Sequence, residues 1–301
     1  MKAECILDSG AVLAEGPVWH DGRLWWVDIE RREIHALDVA TGRDRRWVLP
    51  SRVGFVVPRV RGGFLVGTEQ GLAAWRPHGD DKLRDDPGDE GQGLLEPFAH
   101  PERDRPGNRF NDAKCDPQGR LWAGTMAIDE TPGRGALYRV DGSGITRMLE
   151  GISISNGLAW SPDGATLYYI DSPTRRVDAF DFHGGEISRR RTVVTLEDGF
   201  PDGMCSDADG NLWIALWGGR CVACHDPRTG RRVDRVEVPA EAVTSCCFGE
   251  GGTLFITTAS RDLDSAGLLR QPLAGGIFRV QTQTTGVPVA SYAADLSPRS
   301  E

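Results

Sequence analysis

The chain has 301 residues, of which 39% are apolar and 26% are charged, and its formal net charge is -9. This acidic balance argues against nucleic acid or an anionic membrane surface as a partner, because both require a basic patch. No stretch resembles a signal peptide or approaches the ~18 apolar residues of a membrane-spanning helix, so we expect a cytoplasmic protein.

A unit consisting of a turn and an apolar strand recurs along the chain. Its anchor leucines are Leu24, Leu65, Leu121, Leu167, Leu212 and Leu254, at spacings of 41, 56, 46, 45 and 42 residues. In the fourth unit, Pro162-Asp-Gly164 supplies the preset φ and the positive φ of a hairpin between two strands. Such a period is typical of four-stranded propeller blades, so the sequence predicts an all-β fold, a six-bladed β-propeller.

We expect one propeller domain over residues 1–301, because the repeat covers almost the whole chain and no change of composition marks a linker. Residues 4–7 and 287–293 are predicted strands without hairpin partners, and we expect both to join the sixth blade and close the ring. The widest spacing comes from a charged, glycine-rich insertion at 79–93, predicted to be a surface loop without a role. A second insert, at 261–275, is placed to fold over one end of the channel.

Two local motifs resemble ligand-binding motifs, but we expect neither of them to bind a ligand. Cys221-Val-Ala-Cys-His225 matches a c-type haem attachment motif, but residues three apart on a strand face opposite sides. The run Asp207–Asn211 resembles a calcium loop, yet the equivalent turns of other units are plain hairpins, which favours a hairpin turn. The seven cysteines are an odd number in strand-like positions, which favours buried, reduced thiols.

Six residues share one phase of the repeat, about ten positions before each anchor leucine: Glu15, Phe55, Asn111, Asn156, Asp202 and Thr244. The innermost strand of every propeller blade starts beside the central channel, so residues of one phase converge on one axis. Four of the six are carboxylates or carboxamides. The shared phase therefore predicts a polar pocket at one end of the channel.

Glu15, Asn156 and Asp202 would together offer two carboxylates and one amide carbonyl. Such oxygen donors suit Ca²⁺, Mg²⁺ or Mn²⁺, with Fe²⁺ and Zn²⁺ less clearly selected, and three protein ligands leave positions open for water and substrate. A glycine follows each of the three, and we expect it to let the backbone turn so that the side chain points inward. The alternative is that these residues only cap strand ends or bind channel water.

Four motifs carry a resemblance to a known family: Leu13-Ala-Glu-Gly-Pro-Val-Trp19, Asn108-Arg-Phe-Asn-Asp-Ala-Lys-Cys115, Ser155-Asn-Gly-Leu-Ala-Trp160 and Pro201-Asp-Gly-Met204. In this order, over nearly the whole chain, they resemble the regucalcin/gluconolactonase family of sugar-lactone hydrolases, also called senescence marker protein-like. The chain departs from the usual family pattern at Ala14 and Ala113, where glycine is common. Both positions stand beside site residues rather than at them.

The resemblance implies one divalent metal held by Glu15, Asn156 and Asp202. It also implies that Arg109 and Asn111 bind the hydroxyls and carbonyl of a sugar lactone. Some members hold substrate with an acidic residue just after the Gly-Thr-Met segment; Asp129 and Glu130 both fit, and the sequence does not choose between them.

The implied reaction is hydrolysis of an aldonolactone, such as glucono-, xylono- or arabinonolactone, to the aldonic acid by a carboxylic-ester hydrolase. The metal polarises the carbonyl and acidifies water, Asp202 accepts a proton, and Arg109 adds positive charge near the oxyanion. Activation of water by the metal alone is equally compatible with the sequence. A calcium-binding regulatory propeller without lactone turnover and a peptide-binding scaffold propeller are the alternatives, and the lactone, the metal and the oligomeric state stay open.

Overall fold

The computed structural model describes residues 1–77, 90–91 and 93–295. The insertion at 79–93 lies almost entirely outside these ranges. The strands are β1 (Glu4–Leu7), β2 (Ala14–His20), β3 (Arg23–Asp28), β4 (Glu33–Asp38), β5 (Arg43–Val48), β6 (Val53–Pro58), β7 (Phe64–Thr68), β8 (Gly71–Pro77), β9 (Glu90–Gly91), β10 (Gly93–Ala99), β11 (Asn108–Cys115), β12 (Leu121–Ala127), β13 (Gly135–Asp141), β14 (Gly144–Ile152), β15 (Ser155–Trp160), β16 (Thr166–Asp171), β17 (Arg176–His183), β18 (Glu186–Thr195), β19 (Phe200–Ser206), β20 (Leu212–Trp217), β21 (Cys221–His225), β22 (Arg232–Glu237), β23 (Ala242–Phe248), β24 (Thr253–Ala259) and β25 (Ile277–Gln281).

Helix is scarce in the described part of the chain. It consists of α1 (Ser265–Arg270), within the predicted insert at 261–275, and of two 3₁₀ turns at Ser172–Thr174 and Glu250–Gly252. None of these helices has the length and hydropathy needed to cross a membrane. The all-β prediction is confirmed.

Within the described ranges the strands form five sheets. Three have four strands, in the orders β10-β8-β7-β6, β11-β12-β13-β14 and β15-β16-β17-β18, and a fourth has the order β2-β3-β4-β5 with the short β9 at its edge. The fifth has eight strands, which are two four-stranded runs, β19 to β22 and β23-β24-β25-β1, joined through the Trp217–Ala242 pair. The result is a propeller-like arrangement of small sheets.

The core lies between the faces of neighbouring sheets. Trp25 and Trp47 of the β2-β3-β4-β5 sheet stack on each other at 5.7 Å, and Trp47 contacts Trp75 of the β10-β8-β7-β6 sheet edge-on at 5.4 Å. Trp122 and Trp160 make the same kind of edge-on contact, at 6.2 Å, between the β11-β12-β13-β14 sheet and the β15-β16-β17-β18 sheet. Each such ring removes roughly 150–250 Å² from water, so the indoles of the repeat hold adjacent sheets together.

The two chain ends behave differently from each other. β1 pairs with β25, as predicted. The prediction that residues 287–293 form a strand in the same sheet is wrong, because β1 already occupies the outer edge of β25 and Pro288 has no N–H to donate to a ladder.

The C-terminal segment instead crosses the far ends of several inner strands. The amide of Val287 donates to Ser206 (3.0 Å), and the amide of Tyr292 donates to Pro58 (2.8 Å). Tyr292 is 2% exposed. Closure of the ring by both termini therefore does not take the form we predicted: the N-terminus closes a sheet, and the C-terminal segment spans from one sheet to another.

The two ligand-like motifs have the structures predicted for them. The Asp207 carboxylate accepts hydrogen bonds from the amides of Asp209 (3.0 Å) and Asn211 (2.8 Å) and from Nε1 of Trp213 (2.9 Å), so its oxygens serve a hairpin turn. All seven cysteines fall within the described ranges and are free. Cys221 and Cys224 pack in different core clusters, because they face opposite sides of β21.

Candidate active site

The first strand of each four-stranded run carries an irregularity at the same place. Register shifts fall between Glu15 and Val18, Val53 and Phe55, Phe110 and Ala113, Ser155 and Leu158, Pro201 and Met204, and Val243 and Ser245. A bulge leaves a residue out of the ladder and re-aims its side chain. All six residues of the shared phase lie within or beside these shifts, so the bulge is the local structure that presents them to the channel.

The glycines that follow three of these residues act in two ways. Gly16 has a φ of +52°, which fits the expectation that glycine lets the backbone turn. At Gly157 and Gly203 the reason is space: an added Cβ would lie 2.7 Å from the carbonyl oxygen of Asp202 and 2.0 Å from Oγ of Ser245, respectively. These glycines let neighbouring inner strands approach, which brings Asn156 close to the strand of Asp202.

Buried carboxylates fix where two of the inner strands begin. Asp28, at the end of β3, accepts from the amides of Val12 and Leu13 at 2.9 and 3.2 Å, just before β2. Asp171, at the end of β16, accepts from the amide of Ile154 at 3.0 Å, just before β15. The segments leading to Glu15 and Asn156 are thus held in the same manner.

A cavity of about 350 Å³ opens at this end of the inner strands, a volume within the range of small-molecule sites. Six of the seven predicted site residues line it: Glu15, Arg109, Asn111, Glu130, Asn156 and Asp202. Asp129 is not in the wall. Its carboxylate accepts from the amide of Thr131 (3.1 Å) in an exposed turn, so the structure places Glu130, rather than Asp129, at the cavity.

Other wall residues were not indicated by the repeat phase: Leu13, Met126, Ile154, Ser172, Pro173, Phe200 and Pro201. Trp217 and the start of the insert at 261–275, Arg261 and Asp262, also reach the wall. At the mouth, Arg261 forms an ion pair with Glu130 at 2.9 Å. The guanidinium of Arg175 covers the ring of Phe200 at 3.9 Å. The mouth therefore combines apolar surface with paired charges.

The floor of the cavity brings buried carboxyl groups together. Burial, and then the charge of Asp112, raises the pKa of Glu15 to about 8, although the Gly16 amide donates to its carboxylate at 3.0 Å. Burial, and then the charge of the neighbouring Glu15, raises the pKa of Asp202 well above its ordinary value. Burial also lowers the pKa of Arg109 to about 10, so this guanidinium is a poorly solvated cation.

The floor also carries uncommitted oxygen. Oδ1 of Asp202 is buried and has no hydrogen-bond partner among the described residues. Asn156 Oδ1 accepts one hydrogen bond, from Nδ2 of Asn111 at 2.9 Å, which leaves one of its two lone pairs free. The described ranges contain no metal-binding group of three or more His, Cys, Asp or Glu side chains. The predicted set consists of two carboxyl groups and an amide, and its free oxygens fit a divalent cation, whose charge would favour the ionised carboxylates.

Comparison with known proteins agrees with the motifs. Residues 13–260 match the family described as SMP-30/Gluconolactonase/LRE-like region. The chain belongs to this family. Human regucalcin is 37% identical over an alignment 310 residues long, gaps included, and the alignment covers 97% of the chain and 99% of that protein. The putative sugar lactone lactonase YvrE of Bacillus subtilis (strain 168) is 36% identical over an alignment of 306 positions, gaps included, which covers 98% of the chain and 100% of that protein.

Among solved structures, the chain is similar to a calcium-binding protein, regucalcin, from Agrobacterium tumefaciens. The TM-score is 0.87 at 29% identity, and the match covers 97% of each chain. The resemblance indicated by the four sequence motifs is therefore confirmed. The high TM-score also shows that the chain shares its overall fold with that regucalcin structure.

Proposed function

We propose that the protein is a metal-dependent lactonase that hydrolyses an aldonolactone to the aldonic acid. The observation that carries the proposal is the pair of buried carboxylates, Glu15 and Asp202, at the floor of a sugar-sized cavity. Membership of the gluconolactonase family and similarity to a protein named as a putative sugar lactone lactonase support the same substrate class.

We further propose that the fold is a single six-bladed propeller domain. The eight-stranded sheet counts as two blades, because one residue pair, Trp217–Ala242, links two runs that otherwise match the four-stranded sheets. The six aligned bulges support this count, since each run contributes one of them to the channel.

Glu15, Asn156 and Asp202 are the residues that would hold one divalent cation, whether Ca²⁺, Mg²⁺, Mn²⁺, Fe²⁺ or Zn²⁺. Such a cation, when bound, polarises the lactone carbonyl and makes water more acidic. The unpartnered Oδ1 of Asp202 and the free lone pair of Asn156 Oδ1 support this ligand set. They are oxygen donors, which hard cations prefer.

The side chains then have the following roles. Asp202 accepts a proton from the water that attacks the carbonyl carbon, and it returns a proton to the ring oxygen as the acyl C–O bond breaks. Arg109 uses one nitrogen, Nη1, on the Phe110 carbonyl and Asn111 Oδ1, so its remaining N–H groups are available to the developing oxyanion. Glu130 accepts from substrate hydroxyls at the wall.

Asn111 has little donor capacity left for substrate. Its Nδ2 already donates to the carbonyl of Ser155 (2.7 Å) and to Asn156 Oδ1 (2.9 Å), and Oδ1 accepts from Arg109 (2.6 Å). The remaining lone pair of Oδ1 is its contact point for a substrate hydroxyl. Asn111 therefore contributes to substrate binding mainly by holding Arg109 and Asn156.

The test is a panel of five- and six-carbon aldonolactones, assayed by acid release above the spontaneous rate with each of several metals. Asp202→Asn and Glu15→Gln keep the side-chain shape and should abolish turnover, while Asp163→Asn, in an exposed hairpin turn, should match the wild type. Unchanged turnover in both site variants would reject the site.

A calcium-binding regulatory protein is the second candidate, because the structural neighbour from Agrobacterium tumefaciens is described as calcium-binding. The same ligand set would serve it. Metal binding without turnover of any lactone in the panel would favour this candidate over the enzyme.

A further inference from the structure

One chain of hydrogen bonds crosses the cavity wall, and its direction is determined at both ends. At the first end, Arg109 Nη1 lies 2.6 Å from Asn111. A guanidinium only donates, so the atom of Asn111 at this contact must be the oxygen Oδ1. The amide nitrogen of Asn111 then faces Asn156 at 2.9 Å and donates to it, so the facing atom of Asn156 is its oxygen.

The second end gives the same answer independently. Ser172 Oγ lies 2.5 Å from the carbonyl oxygen of Pro201, which only accepts, so the one hydroxyl hydrogen of Ser172 is committed there. The atom of Asn156 that lies 2.7 Å from Ser172 Oγ must therefore be the donor, Nδ2. Both ends assign the amide of Asn156 the same orientation.

We infer that Ser172 is a positioning residue of the proposed metal site: it holds the Asn156 amide with its oxygen, rather than its nitrogen, available to a cation. The inference rests on the proposed function, because it takes Asn156 as a metal ligand. Ser172 is 6% exposed and stands in the 3₁₀ turn that follows β16. Through the Pro201 carbonyl it also ties this turn to β19, directly beside Asp202.

Loss of the hydroxyl removes the acceptor of the Asn156 Nδ2 group and leaves Asn111 alone to hold the orientation of the amide. An Asn156 amide turned by half a rotation would point an N–H donor at the cation. Partners that orient a metal ligand typically change metal affinity by roughly 10–100-fold when removed, and we expect Ser172→Ala to weaken Ca²⁺ binding within that range.

The experiment is calorimetric titration of metal-free protein with CaCl₂, with folding checked by circular dichroism and thermal unfolding. Ser155→Ala is the matched control. It removes a fully buried serine hydroxyl next to Asn156 that bonds Tyr169 (2.7 Å) and lies outside the cavity wall. Ser172→Thr keeps the hydroxyl and should bind Ca²⁺ within about threefold of the wild type, because the same acceptor and donor are present.

Ser172→Cys is the second test if the alanine variant does not fold, because it nearly preserves the side-chain volume but offers only a weak donor and acceptor. Its affinity for Ca²⁺ should be about tenfold lower than that of the wild type. Equal affinities for the wild type, Ser172→Ala and Ser155→Ala would overturn the role of Ser172 and leave the proposed function standing. A wild-type protein that binds no Ca²⁺ or other divalent metal would overturn both.

Discussion

The buried carboxyl of Glu15 predicts an unusual dependence of stability on pH in the metal-free protein. Its folded-state pKa is raised from 4.5 to about 8 by burial and by the charge of Asp112. The folded state therefore binds this proton more tightly than the unfolded chain does. Stability is favoured at low pH and decreases as the pH rises from about 4.5 to about 8.

The size of the effect follows from the two pKa values. A tenfold change in an equilibrium constant corresponds to about 1.4 kcal/mol. The raised pKa of Glu15 thus lowers the free energy of unfolding by roughly 4 kcal/mol at pH 8 and by roughly 1 kcal/mol at pH 5, relative to a group whose pKa is the same in both states. The neutral, isosteric change Glu15→Gln removes this term, so it should stabilise the metal-free protein at pH 8 by a few kcal/mol and change little at pH 5.

Urea unfolding of metal-free wild type and Glu15→Gln at both pH values measures this. Glu150→Gln, a neutralised carboxylate on an exposed strand position, is the control and should stay within about 0.5 kcal/mol of the wild type. Adding Ca²⁺ at a hundred times its dissociation constant should stabilise the wild type by about 2.7 kcal/mol and the variant by less. A wild type equally stable at both pH values, or a glutamine variant less stable at pH 8, would refute the reasoning.

Three further changes test other parts of the structure. Gly157→Ala places a methyl 2.7 Å from the Asp202 carbonyl oxygen. It should lower the free energy of unfolding by about 1–3 kcal/mol and weaken Ca²⁺ binding. Unchanged Ca²⁺ affinity in calorimetric titration would contradict the close approach of the two strands. His35 is buried and its pKa is raised, because hydrogen bonds to carboxylates, the shorter one to Asp44 at 2.6 Å, outweigh the lowering by burial. Its contribution is present at acidic pH and lost as the pH rises through the raised pKa, so the destabilisation by His35→Gln in urea should shrink as the pH rises above the ordinary value of 6.5; growth instead would contradict the pairing. Asp207→Ala leaves several donors without an acceptor, so its free energy of unfolding, measured by thermal unfolding, should be about 1–3 kcal/mol lower. The number of Ca²⁺ ions bound per chain should not change if residues 207–211 form a hairpin turn, and it should fall by one if they form a calcium loop.

Periodicity made much of this fold predictable. The six anchor leucines fall in or beside second strands that share one pattern, and the residues ten positions earlier fall at equivalent bulges. Because the bulge recurs at one phase, Glu15, Asn156 and Asp202 could be placed at one cavity although they are far apart in sequence. The cavity itself needed no information beyond the repeat.

Features that break the repeat were not predictable in this way. Ser172 comes from a 3₁₀ turn whose role depends on the Pro201 carbonyl of the next inner strand, a contact without a sequence signal. The choice between Asp129 and Glu130 depended on one backbone conformation, since Glu130 has a φ of +59°. Residues 287–293 have the composition of a strand, but the edge that they would have joined is taken by β1.

The central claim is that three oxygen donors from distant parts of the chain meet around one cation. Anomalous diffraction from crystals grown with Ca²⁺ tests it most directly. We predict one calcium peak in the cavity, at about 2.3–2.6 Å from side-chain oxygens of Glu15, Asn156 and Asp202. A calcium peak held by other residues would contradict the account. So would the absence of a peak in this cavity in crystals of protein that binds Ca²⁺ in solution.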